Sequence, residues 1–328
     1  MLRVFSVFLI CWMALAAFPA GLLAQEVMTQ PGLRLLYPAG LTREAARYQR
    51  SWPQAVAAVV RVLSREPLGT ITVEVVANSE NLTQRVHAIT GESLPNWVLG
   101  VAIPSRDLVL VRADLPGLED HRFQGLLTHE LAHIVLHQRL SHEGATPAPR
   151  WLDEGLAQVA EGRIYAPQTV DLPVRAFFGR LIPLAELHHA FPRTEGASSL
   201  AYAQAESVTR FLRRVGGPTL IEDLILALES GLTLDAALLE RTAKSLATWE
   251  KEWRKDLEKD RTWVPGILGQ ALIFLGILAA AGMGILRVRE RRRRAEAEWA
   301  DAPADDPTSD LHHGLPETPR GTKVGDDP

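Results

Sequence analysis

The sequence is nearly without cysteine: one among 328 residues, Cys11, inside an N-terminal apolar run. The body of the chain therefore has no disulfides, no thiol chemistry and no cysteine ligands for a metal. Cys11 also lacks the small residues that precede a lipidated cysteine. An excess of positive charge is missing too. Lys and Arg total 35 against 39 Asp and Glu, a formal net charge of −4, which gives no electrostatic case for nucleic acid. With 47% hydrophobic residues, the length supports one good-sized domain with additions at its ends.

What is present centres on Thr128 to Gln138, which contains H-E-x-x-H as His129-Glu130-Leu131-Ala132-His133. On a helix, residues four apart lie one turn above each other, so both imidazoles can reach one ion. Glu130 lies a step around the helix, within reach of a water on that ion, the arrangement of a zinc peptidase. Leu126, Leu127, Leu131, Ile134 and Val135 supply an apolar face at helical spacing.

A catalytic zinc needs a third protein ligand and an open position. One class of zinc peptidase extends the motif to H-E-x-x-H-x-x-G-x-x-H. Leu136 stands at that glycine position and Arg139 at the final histidine, which excludes the class. The other source is a glutamate on a following helix. Glu154, in Trp151-Leu152-Asp153-Glu154-Gly155-Leu156-Ala157, fits, with twenty residues between it and His133. His137 cannot join the same ion, because each further helical turn advances about 5.4 Å. It reads as a surface residue or one supporting the ligands. Asp153 reads as capping or solvating its helix. Gln158, one turn beyond Glu154, reads equally as an orienting partner of a ligand histidine or as plain helix surface.

H-E-L-A-H followed by W-L-D-E-G-L-A resembles the gluzincins, the thermolysin-like and aminopeptidase-like zinc peptidases. More closely, it is similar to the bacterial peptidase MA-like family, over roughly residues 33 to 258. The resemblance implies one Zn2+ on His129, His133 and Glu154, with Glu130 as general base. It also implies a later aromatic donor to the oxyanion, for which Tyr202 in Ala-Tyr-Ala-Gln is the match; a core aromatic is the other reading. The implied fold is α+β and zincin-like: a small sheet with an edge strand, an active-site helix and a helical C-terminal subdomain.

Along the chain, residues 1–24 read as a secretory signal, Arg3 then an apolar run to Ala24. An uncleaved anchor is the alternative, and both send residues 25–260 across the membrane. Strands are predicted at Leu33–Tyr37 and Thr70–Val76, and a helix over Leu41–Glu66 whose second part starts at Pro53. Gly100–Arg112 reads as a hairpin turning at Pro104–Asp107. Its edge strand either receives a substrate backbone, as the resemblance implies, or is ordinary support for the active helix. Residues 163–198 read as a covering loop with a short helix near Leu184–His189, His188 and His189 being surface. Helices follow over Ser199–Val215, Leu220–Glu229 and Leu234–Asp260, the last packing Trp249 and Trp253 into the core.

Residues 264–286 carry no formal charge and are long enough to span a bilayer. Arg287, Arg289 and Arg291 to Arg294 follow, so the positive-inside rule places residues 287–328, a disordered tail, in the cytoplasm. The expectation is a single-pass membrane protein with an extracytoplasmic metallopeptidase domain, contacting peptide or protein substrates and lipid but no nucleic acid. Its oligomeric state is left open. The rival expectation is a catalytically silent binding or scaffold module of the same fold.

Overall fold

The structure is a computed structural model. It describes residues 25–115, 120–162, 172–192, 194–259 and 264–300; the expected signal segment and the tail beyond 300 lie outside these. The chain divides into two compact units, Met1–Trp263 and Val264–Pro328.

Five strands form the sheet: β1 (Gln25–Gln30), β2 (Leu33–Pro38), β3 (Ile71–Val76), β4 (Gly100–Ile103) and β5 (Leu108–Arg112). Their order is β1-β2-β3-β5-β4. The middle three are parallel, and β1 and β4 pair antiparallel at the two edges. Side chains alternate between faces along each strand. Ile71, Val73 and Val75 of β3 with Val109 and Val111 of β5 enter the main core. Val76, Leu108 and Leu110 face the other way, against Leu82 and Val86 of helix α2 (Ser79–Thr90). Glu74, on that second face, is buried and accepts two hydrogen bonds from Arg85 at 2.8 and 3.0 Å.

The main core lies between the sheet and helices α1 (Thr42–Leu63), α3 (Asp120–Leu140) and α4 (Arg150–Glu161). α1 runs unbroken through Pro53 rather than restarting there. Proline cannot donate to the carbonyl four residues earlier. That carbonyl, on Gln49, instead accepts from the Gln30 side chain of β1 at 3.1 Å. The hairpin turn predicted at Pro104–Asp107 is a short 3-10 turn, with Asp107 in the left-handed region.

Helices α5 (Leu172–Phe177), α6 (Glu195–Val215), α7 (Leu220–Glu229), α8 (Leu234–Thr242) and α9 (Leu246–Lys259) complete the first unit. Two expectations change here. Leu184–His189 forms successive turns, and the short helix lies earlier, in α5. The helix expected over Leu234–Asp260 is two helices within Leu234–Lys259, because Ala243 takes a left-handed φ of 56° and ends α8. β1 adds an edge strand that the sequence reading did not contain. Trp249 and Trp253 are buried as expected.

The second unit holds helix α10 (Val264–Ala300), which continues through the arginine cluster. Within it, Leu272–Ala297 is long and apolar enough, by length and composition, to cross a membrane.

Candidate metal centre

α3 and α4 pack against each other, and both are needed to build the site. Their close approach to the rest of the domain depends on two glycines. A Cβ on Gly155 would come 2.1 Å from Thr209 Oγ1 and 2.4 Å from Ala205 O, so α6 can lie against α4 only where no side chain intervenes. A Cβ on Gly100 would come 2.9 Å from Leu126 Cδ1 and 3.1 Å from Glu130 Oε1. The edge strand β4 therefore meets α3 beside Glu130, and the Ala102 backbone N–H donates to the Glu130 carboxylate.

His129, His133 and Glu154 converge, their ligand atoms all within 4.8 Å of one another. Glu154 Oε2 lies 3.4 Å from His129 Nε2 and 3.6 Å from His133 Nε2. Two ligand atoms held tetrahedrally by one zinc are separated by roughly 3.3 Å, from bond lengths near 2.0–2.1 Å. Glu154 is 2% exposed and its Oε2 has no hydrogen-bond partner among the described residues. Its other oxygen is held by Arg150 Nη2 at 2.5 Å. A buried acceptor left free between two imidazole nitrogens fits a cation, and the N, N, O donor set fits zinc.

Each imidazole is fixed from behind. His133 Nδ1 donates to Asp153 Oδ1 at 2.6 Å and His129 Nδ1 donates to Glu161 Oε2 at 3.0 Å. A carboxylate accepts, so the proton stays on Nδ1 and Nε2 is the atom that can offer a lone pair. Asp153 is thus an orienting partner of a ligand, not the cap or solvated residue expected of it. Glu161 was not singled out, and Gln158 makes no bond to either imidazole. Helical period carries the signal that could have found Glu161: it lies seven residues, two turns, beyond Glu154 and shares its face.

The local charges are strongly coupled. Burial raises Glu154, but His133, His129 and Arg150 outweigh it and hold the carboxyl down to about 2. Burial lowers His129, yet Glu154, Glu161 and Glu130 raise it well above the ordinary imidazole value. For Glu130 burial prevails over both histidines and raises it. A site that stabilises extra positive charge on its own ligands is one that favours a metal cation.

Tyr202, on α6, lines the cleft alongside this cluster. Its ring packs edge-on against Phe191 at 5.0 Å between centroids. Burial first, then the Glu154 charge, push its hydroxyl well above the usual range, so it stays protonated. Arg150 can only donate, so the Tyr202 oxygen accepts from it and keeps its own O–H for the cleft. His137 is exposed on the outer cleft wall, outside the ligand cluster, and His188 and His189 are exposed elsewhere.

An H-E-x-x-H helix with a glutamate from the next helix, set beside a sheet edge, defines the zincin-like class of fold. The chain belongs to the peptidase MA superfamily, whose sequence profile matches residues 54–259. Among solved structures it is similar to a two-domain M1 zinc metallopeptidase variant bound to L-arginine. That likeness has 18% identity and TM-score 0.40, over 73% of this chain and 51% of the other. It is also similar to native yeast LTA4 hydrolase, at 11% identity and TM-score 0.38, over 73% and 38%. An M1 zinc metallopeptidase variant from Deinococcus radiodurans gives 18% and 0.35, over 71% and 50%. The chain spans about half or less of the length of these proteins, and the family assignment rests on the sequence profile alone. Comparison with curated proteins finds no sequence match.

Proposed function

We propose that the protein is a membrane-anchored metallopeptidase holding one zinc ion on His129, His133 and Glu154. The observation that carries this reading is the meeting of both Nε2 atoms on the free Glu154 oxygen, with Glu130 beside them. Bound zinc would supply Lewis acidity, acidifying water and drawing charge onto a peptide carbonyl. An extended substrate adds to the open edge of β4, whose residues line the cleft. Glu130 takes a proton from the attacking water and delivers it to the leaving amine. The Tyr202 O–H hydrogen-bonds the oxyanion as charge develops. Water attacks directly, without a covalent intermediate.

Anchoring is part of the same proposal. Residues 1–24 serve as the secretory signal, 25–260 form the extracytoplasmic domain, 264–286 cross the membrane and 287–328 stay in the cytoplasm. The apolar stretch and the arginines that follow it support this topology. Protease protection of the C-terminal tail in sealed vesicles tests it.

Glu130→Gln keeps the side-chain shape and removes the base. We expect full zinc occupancy with peptide hydrolysis lost by at least about a hundredfold. Wild-type turnover in that variant would remove Glu130 from the mechanism. Stoichiometric zinc in the wild type with no turnover on any peptide library would favour a silent binding module instead.

A further inference from the structure

Beside the metal cluster, the cleft opens into a second cavity of about 320 Å³. Gly100, His129, Glu130 and Tyr202 line both this cavity and the larger cleft of about 650 Å³. A peptide laid along β4 with its reacting bond at Glu130 therefore directs one neighbouring side chain into the smaller space. This placement rests on the peptidase reading above.

The walls of the cavity are of two kinds. Leu99, Leu126 and Trp97 make one part apolar. Gln158, Glu161 and Glu206 make the other part rich in acceptors. The Glu161 side chain is 6% exposed; one oxygen is engaged by His129, and Oε1 has no hydrogen-bond partner among the described residues. Gln158 Oε1 is buried and likewise without a partner among them. Glu206 lies close enough for its charge to act on Glu161. Its own pairing, to Arg210 at 2.8 Å, is within one helix and partly exposed, and leaves the two buried acceptors unmet.

Buried acceptors without donors are costly, and a cavity that admits substrate can have them satisfied by the substrate. An apolar side chain would seal them off from water unpaired. An acidic one would add a like charge. A long basic side chain matches both kinds of wall: its methylenes lie along the apolar part and its charged head reaches the acceptors.

We propose that this cavity is a specificity pocket for a lysine or arginine side chain at one of the two residues flanking the bond to be cleaved. Glu206 and Gln158 are its discriminating residues, and Glu161 contributes its free oxygen while orienting His129 with the other.

The test is binding, read without turnover. Full-length, zinc-loaded Glu130→Gln protein in lipid nanodiscs is titrated with fluorescent hexapeptides carrying lysine, norleucine or glutamate at each position in turn. Norleucine keeps the methylene stem and lacks the ammonium. We expect lysine to bind about tenfold more tightly than norleucine at one position only, with glutamate weakest. The lysine-to-norleucine ratio should fall to about twofold or less when Glu206→Gln is added, and further with Gln158→Leu. Norleucine matching lysine at every position would overturn the proposal, as would an unchanged ratio in zinc-replete Glu206→Gln/Gln158→Leu protein, or no peptide binding at all. Wild-type cleavage is measured separately. Lysine-selective binding without any cleavage would sink the peptidase reading and leave the pocket standing.

Discussion

Gly100→Ala separates the position of Glu130, the proposed general base, from the proposed metal ligands. The added methyl would lie 2.9 Å from Leu126 Cδ1, 3.1 Å from Glu130 Oε1 and 3.2 Å from Glu130 Cγ. Ordinary contacts of this kind start at 3.4 Å, so Glu130 must retreat by 0.3 Å at its oxygen (3.4 − 3.1) and 0.2 Å at Cγ (3.4 − 3.2). Leu126 can turn its terminal methyl aside. Glu130 has less freedom, because its carboxylate is fixed by the Ala102 N–H. A misplacement of 1 Å can cost about a hundredfold in rate, so 0.3 Å scales to roughly three- to tenfold in kcat. Neither histidine is displaced, and zinc stoichiometry should hold. Gly100 has no positive φ, so alanine meets no backbone strain there. Its reduced unfolded-state freedom should leave Tm unchanged or slightly higher. The assay pairs peptide-hydrolysis kinetics with zinc analysis and a thermal melt, for alanine and then for Gly100→Val, where the loss should deepen. Unchanged kcat in both variants, or zinc lost in step with activity, would refute the idea that this glycine sets the approach of Glu130.

Asp153→Asn and Glu161→Gln should each weaken zinc binding by about ten- to a hundredfold, read by competition with a chromogenic chelator; unaltered affinity would mean that the Nδ1 bonds do not orient the imidazoles. Chelation of the metal should lower Tm, by an amount worth about 4 kcal/mol when free zinc is a thousand times its Kd, and readdition of zinc should restore it; a melt indifferent to zinc would count against a metal bound to the folded state. Arg139 is wholly buried and bonds Glu222 at 2.8 Å, Glu229 at 2.6 Å and Leu63 O at 2.7 Å. Arg139→Ala strands both carboxylates and should cost about 3–5 kcal/mol, a fall in Tm of roughly 6–20 °C; a fall under about 3 °C would show that the cluster contributes little.

The candidate ligand cluster was legible because its parts are local. His129 and His133 are one helical turn apart, and Glu154 follows the last two turns of α3 and a short connection, at the start of α4. What was not legible depends on partners far along the chain. Gln25–Gln30 has few apolar residues and is mostly exposed, so its strand character comes from pairing with β2 rather than from its own pattern. No glycine or proline marks the break at Ala243. It is secured by Asp235, which accepts from the Leu246 N–H at 2.6 Å, and by Ser245 Oγ accepting from the Thr248 N–H at 3.3 Å. Pro53 looked like a helix start because a proline leaves one carbonyl unpaired; the donor that removes this problem, Gln30, is 19 residues away from Gln49. Asp153 looked like a helix-surface acid because only the packing of α4 on α3 turns it towards His133.

The placement of α4 makes the site a single mechanical unit. Asp153, Glu154 and Glu161 all project from this twelve-residue helix: Glu154 is the proposed ligand, and the other two accept from the imidazoles of α3. Arg150, in its first turn, holds Glu154 by one oxygen and Tyr202 by its hydroxyl. Tyr202 comes from α6, which reaches the site only because Gly155 lets the two helices touch. The proposed ligand, both acids behind the imidazoles and the proposed oxyanion donor therefore share one registration, that of α4 between α3 and α6. A side chain at position 155 would meet the Ala205 backbone carbonyl, which cannot rotate away, so α4 as a whole would have to move. Such a shift would disturb metal affinity and oxyanion stabilisation together, whereas a change at Gly100 presses on Glu130 and Leu126 and not on the proposed metal ligands. The glycine beside Glu154 thus governs the assembly of the centre, and the glycine on β4 governs its tuning.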